Sequence, residues 1–223
     1  SPTWHATPDT LPAMPLYLIA NEFFDALPIR QFQRDPNGWR ERVIGLGDTA
    51  LCPGLSAPAP IAALDHRLED TRPGDIVETC APAQGIAQAI GAHVATHGGA
   101  ALIVDYGDWR SLGDTFQAVR DHAATDPFAA PGMADLTAHV DFEALARAAA
   151  PAAHSRLTPQ GVFLERLGIT RRAEALAQGL DTAALETHVA AHRRLTHPQE
   201  MGSLFQAIGF TPKGAPGLPG LDP

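Results

Sequence analysis

Only two cysteines, Cys52 and Cys80, occur in the 223 residues, and neither belongs to a C-x-x-C pair. A disulfide framework and a thiolate zinc site therefore have no support. Basic residues are few: 16 Lys and Arg stand against 25 Asp and Glu, a net charge of -9. No basic stripe offsets that excess, which argues against nucleic acid as the main partner. No apolar run reaches the roughly 18 residues of a membrane span. The opening SPTWHATPDT has no basic n-region and no apolar h-region, so it does not read as a signal peptide; it reads like a loop entered in mid-fold. A G-x-S-x-G elbow and a complete dinucleotide fingerprint are both missing, which leaves a hydrolase or a dehydrogenase little support. No internal repeat is present.

What is present suits an α/β fold. Hydrophobic residues make up 45% of the chain, enough for one sizeable core in one or two domains. LYLIA (16–20) is an unbroken apolar run, as in a strand covered on both faces. DPNG (35–38) is a strong turn signal inside a β-hairpin over 29–46. CPGLSAPAP (52–60) reads as a proline-rich loop, and PGDIVETC (73–80) as a turn with a short strand. Ile86, Ile90 and Val94 fall on one face of a helix over 81–97, with Pro82 in its first turn and Gly98-Gly99 as its stop. ALIVD (101–105) is then a second buried strand. Together these make a βαβ crossover in an open, mainly parallel sheet. A long irregular connection follows. Asp141 caps a helix over 142–150, and Thr158-Pro159 opens another that stops at Gly168. Two more helical stretches lie at 171–178 and 182–195. SLFQAIGF (203–210) is a last strand, and 213–223 reads as a flexible tail.

Ligands of such sheets sit beyond the carboxyl ends of the strands. Both apolar strands end in acids there, in NEFFD (21–25) and DYGD (105–108). If a helix starts at Asn21, Glu22 and Asp25 lie on one face, roughly 5–6 Å apart. The structural alternative makes Asn21 a cap and lets Glu22 meet the helix dipole. Asp105 and Tyr106 are either a capping aspartate and a packing tyrosine or a wall of a pocket. His139 is either a loop residue or faces the acids. Asp135 reads as a turn or cap residue, and Gln160 as a helix start or a ligand contact.

In order, LIANEFFDALPIRQF, LIVDYG, GDTFQAVRDH, PGMADLTAHVDFEALA, TPQGVFLERLGI and MGSLFQAI resemble the MidA family of class I S-adenosylmethionine-dependent methyltransferases. The resemblance covers nearly all of residues 4–210. It implies the C-terminal part of a Rossmann-like methyltransferase sheet over 1–212, with a hairpin and loop insertion at 29–80 and a helical insertion at 159–196. It implies S-adenosylmethionine as cofactor, no metal, and a protein arginine as acceptor, since the family includes a mitochondrial complex I assembly factor that methylates a complex I subunit. The compartment would be the bacterial cytoplasm or, in a eukaryote, the mitochondrial matrix. Glu22 and Asp25 become catalytic candidates. Asn21, Phe24, Asp105, Tyr106 and His139 become substrate contacts, and Asn21 with Glu22 touch cofactor.

One departure stands out. The family's glycine-rich cofactor loop has no counterpart; GLGDTA (45–50) follows the hairpin and reads as a turn. The main cofactor residues are expected upstream of Ser1, and the quoted strands would be the fourth onward. Residues 16–20 would then form an open sheet edge, which either pairs with a second copy or marks the chain as the surviving piece of a longer molecule. The hairpin and the 108–140 connection should share the side of the strand ends. The competing reading is a non-catalytic assembly or binding protein that keeps the fold.

Overall fold

A computed structural model describes residues 2–222. The chain enters strand β1 (Leu16–Asn21) and then leaves for an inserted antiparallel sheet. That sheet is built from β2 (Arg30–Asp35), β3 (Gly38–Leu46), β4 (Leu51–Leu55) and β5 (Ile76–Thr79), in spatial order β4-β3-β2-β5. Helix α1 (Ala81–His97) brings the chain back to β6 (Gly99–Asp108), which pairs in parallel with β1 from Leu16 opposite Gly99 to Asn21 opposite Val104. The turn at 35–38 forms because the Asp35 carboxylate accepts from the Asn37 N–H at 2.9 Å and Gly38 takes φ 131°, where a Cβ is unwelcome. Residues 51–55, read as part of a loop, form β4 instead. It is an edge strand, where the missing N–H of Pro53 costs no ladder bond to a further neighbour.

Beyond β6 the connection is less irregular than expected. Strands β7 (Gln117–Arg120), β8 (Ala123–Thr125) and β9 (Asp135–Thr137) form a small antiparallel sheet in order β8-β7-β9. Strand β10 (Val140–Asp141) then pairs in parallel with the end of β6 and leads into α2 (Phe142–Ala148). Asp141 caps α2 as predicted, accepting from the Ala144 N–H at 2.9 Å. The remaining elements are β11 (Ala153–His154), β12 (Thr158–Pro159), α3 (Gln160–Arg166), α4 (Ile169–Ala177), α5 (Thr182–Thr196), α6 (Met201–Leu204) and β13 (Phe205–Thr211).

The main sheet is mixed, not mainly parallel. Its order is β1-β6-β13-β11, and β13 runs antiparallel to β6. An apolar run such as 203–210 carries no signal of strand direction, which is why the sequence could not show this. One sheet face packs under α1 and α2, with Ile90, Val94, Ala101, Ile103, Phe142, Leu145, Ile208 and Phe210 buried together. Each of the larger side chains contributes about 1.5–3 kcal/mol by leaving water. The other face buries Val104, Phe163, Phe205, Ala207 and Leu221. The inserted sheet has its own cluster of Phe32, Trp39, Leu64 and Val77. Helix α1 approaches α2 through Gly91, where an added Cβ would sit 1.9 Å from the Ala149 carbonyl oxygen.

Two expectations change here. β1 is not covered on both faces: Tyr17 and Ile19 are 83% and 76% exposed, because α1 covers only the side carrying Leu18 and Ala20. Among the described residues β1 is also the outermost strand of this sheet. Of the tail 213–223, expected to be flexible, the described residues 213–222 are held in place. Leu218 and Leu221 pack against Phe163 and its neighbours, and Arg166 pairs with Asp222 at 2.9 Å.

Candidate active site

The chain does not turn into a helix after β1. Glu22 takes φ 48°, a left-handed conformation uncommon for a residue with a Cβ. Its N–H still donates to the Val104 carbonyl at 3.0 Å, extending the strand register. The next three N–H groups, of Phe23, Phe24 and Asp25, all converge on Oδ2 of Asp105, at 3.2, 3.0 and 3.3 Å. The Tyr106 N–H donates to the other oxygen, Oδ1, at 3.0 Å. A carboxylate some eighty residues away thus satisfies the donors that a helix would have left open. Asn21 is therefore no helix cap, and Glu22 and Asp25 do not share a helix face.

These residues divide into a buried group and an exposed rim. Asp25 is 5% exposed. Its Oδ2 accepts from the Tyr106 hydroxyl at 2.6 Å, while Oδ1 has no hydrogen-bond partner. The Tyr106 ring meets His139 edge-on at 5.5 Å and Phe205 at 5.4 Å. The Ala138 N–H donates to the Asp25 carbonyl at 3.0 Å, and the His139 N–H to Thr115 Oγ at 2.8 Å. Asp25, Asp105, Tyr106 and His139 are thereby brought together. Asn21 and Glu22 form the exposed rim, with Asn21 Nδ2 donating to Glu22 Oε1 at 3.2 Å. Gln160 reaches the Leu195 carbonyl at 3.0 Å and ties α3 to α5, so it is placed for structure. Asp135 begins β9.

Burial, and after it the charge of Asp25, push the Asp105 carboxyl up to about 7, against the backbone N–H groups that favour its ionised form. Burial and the bond to Asp25 raise the Tyr106 hydroxyl further above its ordinary range. The folded value for Asp105 lies above the unfolded one of about 3.9. Its contribution to stability is therefore fully present below about pH 4 and is lost as pH rises through 7. Chemical denaturation of the wild type and of Asp105→Asn across pH 3–8 checks this. The stability of the wild type minus that of the variant should fall between about pH 4 and pH 7 and level off above.

A cavity of about 610 Å³ opens between the inserted sheet, the first turn of α1 and the length of α2. Phe24 and His139 line it, together with Ile29, Phe32, Cys80 and Arg67. The hairpin and the end of the 108–140 connection both border it, on the side of the Phe24 turn. Arg67 is the residue that sequence reasoning missed. It is 2% exposed and bonds Asp70 at 3.1 Å, Asp141 at 3.5 Å and the Ser111 carbonyl at 3.2 Å. Asp70 follows Arg67 by three residues and Asp141 by 74, and nothing in LDHRLED marks the arginine as buried. Among the described residues no group of His, Cys, Asp and Glu could hold a metal ion.

Asn21 and Glu22 suit a rim contact with a polar cofactor, since both present uncommitted polar groups at a strand end. The cradle itself is a different matter. The glycines of 45–50 lie in the β3–β4 turn, where the Gly47 N–H meets the Ala50 carbonyl at 2.9 Å. Among the described residues no glycine-rich turn joins a strand to a helix N-terminus.

Comparison with known proteins bears on the family and the fold. A zebrafish protein named "Protein arginine methyltransferase NDUFAF7, mitochondrial" is 36% identical over 209 residues, covering 91% of this chain and 49% of the relative. Its human namesake is 34% identical over 220 residues, covering 94% and 48%. The chain thus spans about half the length of the curated relatives it matches. A crystal structure of a COG1565 superfamily member from Burkholderia thailandensis, bound to S-adenosyl-homocysteine, matches with a TM-score of 0.79 at 29% identity, over 95% of this chain and 57% of that one. The mixed α/β architecture is accordingly of the class I methyltransferase type. The profile of a family described as "Putative S-adenosyl-L-methionine-dependent methyltransferase" matches residues 1–161, and the chain belongs to that family.

Proposed function

We propose that the protein takes part in methyl transfer from S-adenosylmethionine to an arginine of a protein substrate, with Glu22 as the residue that receives the guanidinium. The observation that carries this is the position of Glu22: an exposed carboxylate held in a left-handed turn at the carboxyl end of β1. The names of the curated relatives support arginine as the acceptor. When bound, the cofactor supplies an electrophilic methyl group on a sulfonium. A guanidinium stays protonated at any ordinary pH, so its nitrogens are weak nucleophiles. A carboxylate that accepts two of its N–H bonds draws positive charge toward the bound nitrogens and fixes the plane of the group. The remaining nitrogen is left better placed to attack, and alignment supplies much of the acceleration.

On this reading Asp25, closed in by Tyr106, supports the turn and does not meet substrate. Phe24 and His139 present the neighbouring cavity to residues flanking the target arginine. A complex I subunit as substrate follows from the family resemblance and belongs to the same proposal, as does a mitochondrial or bacterial cytoplasmic setting. The relatives are named as mitochondrial, and no helix among the described residues is long and apolar enough to cross a membrane. The edge of β1 is paired, on the same proposal, either by a second copy or by the remaining strands of a longer molecule.

The test is methyl transfer from labelled S-adenosylmethionine by the full-length gene product to total cell protein, with mass spectrometry to locate the mark. Modified arginine is the expected result; a mark confined to other residues would overturn the acceptor assignment. Glu22→Gln keeps the shape and removes the charge. Its turnover should fall by at least about tenfold, the scale of 1.4 kcal/mol in the barrier. Unchanged turnover would take Glu22 out of the mechanism.

A further inference from the structure

We propose that Asp105 is a positioning residue: its buried carboxylate fixes the turn after β1 and so aims Glu22 out of the strand end. The proposal rests on the reading of Glu22 given above. Its structural half stands on geometry alone.

Asp105 has no exposed surface. All four of its recorded hydrogen bonds come from backbone N–H groups, three on Oδ2 and one on Oδ1. It therefore has no face to offer a substrate, and it acts through what it holds. What it holds is specific. Glu22 still keeps β-sheet register through its bond to Val104, yet the very next N–H already points at Asp105. The chain has one residue in which to reverse its direction, and the left-handed φ of Glu22 does this. That conformation is unfavourable for any residue with a Cβ and persists where the surroundings impose it. Successive N–H groups closing on one oxygen form the kind of concavity that usually binds an external anion. Here the acceptor belongs to the chain, the Asp105 carboxyl fixed on β6, the strand that pairs with β1. The turn is thus tied to the sheet at the residue after the one that carries the exposed carboxylate. Two titratable groups face Asp105, namely Asp25 and Tyr106. Asp25 belongs to the turn and Tyr106 follows Asp105 on β6, and neither accepts these N–H groups, which close on Asp105.

The experiment has two arms. In the first, amide exchange and backbone shifts of the isotopically labelled 223-residue chain are compared with those of Asp105→Asn and Asp105→Ala. In Asp105→Ala the Phe24 and Asp25 amides should exchange about tenfold faster or more relative to amides within β6, and Glu22 should leave the left-handed region. Asp105→Asn keeps an acceptor oxygen, so it should retain most of the protection. Unchanged exchange and unchanged Glu22 shifts in both variants would overturn the proposal. If Asp105→Ala fails to fold, Asp105→Asn against wild type decides the same point, because its amide group meets the Tyr106 N–H with a donor and should loosen the turn measurably. In the second arm, turnover by the full-length protein should follow turn protection: low in Asp105→Ala, largely rescued in Asp105→Asn, with the KM for cofactor unchanged. An Asp105→Asn protein that keeps the turn yet loses turnover as fully as Asp105→Ala would show the charge acting directly and overturn the positioning role. A wild type that methylates no arginine would refute the functional reading and leave the first arm to decide the turn.

Discussion

Arg67→Ala should cost about 3–5 kcal/mol of folding stability, the range for removing one partner from a buried ion pair. The guanidinium reaches three separate segments: Asp70 beside it in sequence, the Ser111 carbonyl after β6, and Asp141 at the start of α2. Asp70 is half-open to solvent and keeps Arg110 at 3.4 Å, so it tolerates the loss. Asp141 does not. Burial already raises its carboxyl, and Arg67 is one of the groups that pull it back down. Without the cation, a half-buried cap is left holding a charge, and the Ser111 carbonyl loses its donor. Arg67→Met fills most of the volume but restores neither partner. The midpoint of urea unfolding for the two variants therefore separates the parts: what Met recovers over Ala is cavity, and what neither recovers is charge. A midpoint within experimental error of wild type for Arg67→Met would mean that the ion pairs contribute nothing net.

Gly91→Ala should be nearly as harmful, about 3 kcal/mol, at the upper end of overpacking costs. The added methyl would meet the backbone of Ala149 at 1.9 Å from its oxygen, where no side chain can rotate away. Helix α1 would have to move off α2, and the buried cluster between them would open. Gly85→Ala supplies the contrast within the same helix. Its Cβ meets nothing within 4 Å, so the only change is helix propensity, a gain of up to about 1 kcal/mol. Opposite signs at the two positions, read from denaturation midpoints, would show that contact decides the first and propensity the second. Equal effects would remove the packing argument.

The legible parts of this fold share one property: their signals are local. The Asp35–Gly38 turn, the α1 face of Ile90 and Val94, and the Asp141 cap each depend on residues within a few positions of one another, and each forms as read. The turn after β1 does not. NEFFD carries what looks like a helix start, and only Asp105, brought alongside by the sheet, diverts the three N–H groups elsewhere. The same holds for Arg67, whose burial depends on segments that meet only in three dimensions. Strand direction at β13 and the small sheet over 117–137 were hidden for a related reason, since short strands are defined by partners and not by their own periodicity. Within the candidate site, the residue types were readable, and Asp25, Asp105, Tyr106 and His139 do gather in one place. Which of them meet solvent was not readable.

Helices α4 and α5 bury no residue, although they pack on each other and against α3. A pair with so little apolar surface withdrawn from water opens at a lower free energy than the sheet behind it. Such a pair behaves as its own unit of unfolding. Its amides would exchange, and its backbone would be cut by a protease, while the strands that carry Glu22 and Asp105 remain folded. The outer part of the helical segment can therefore open without disturbing the strand ends that carry Glu22 and Asp105, while the end of α5 stays tied to α3 through Gln160.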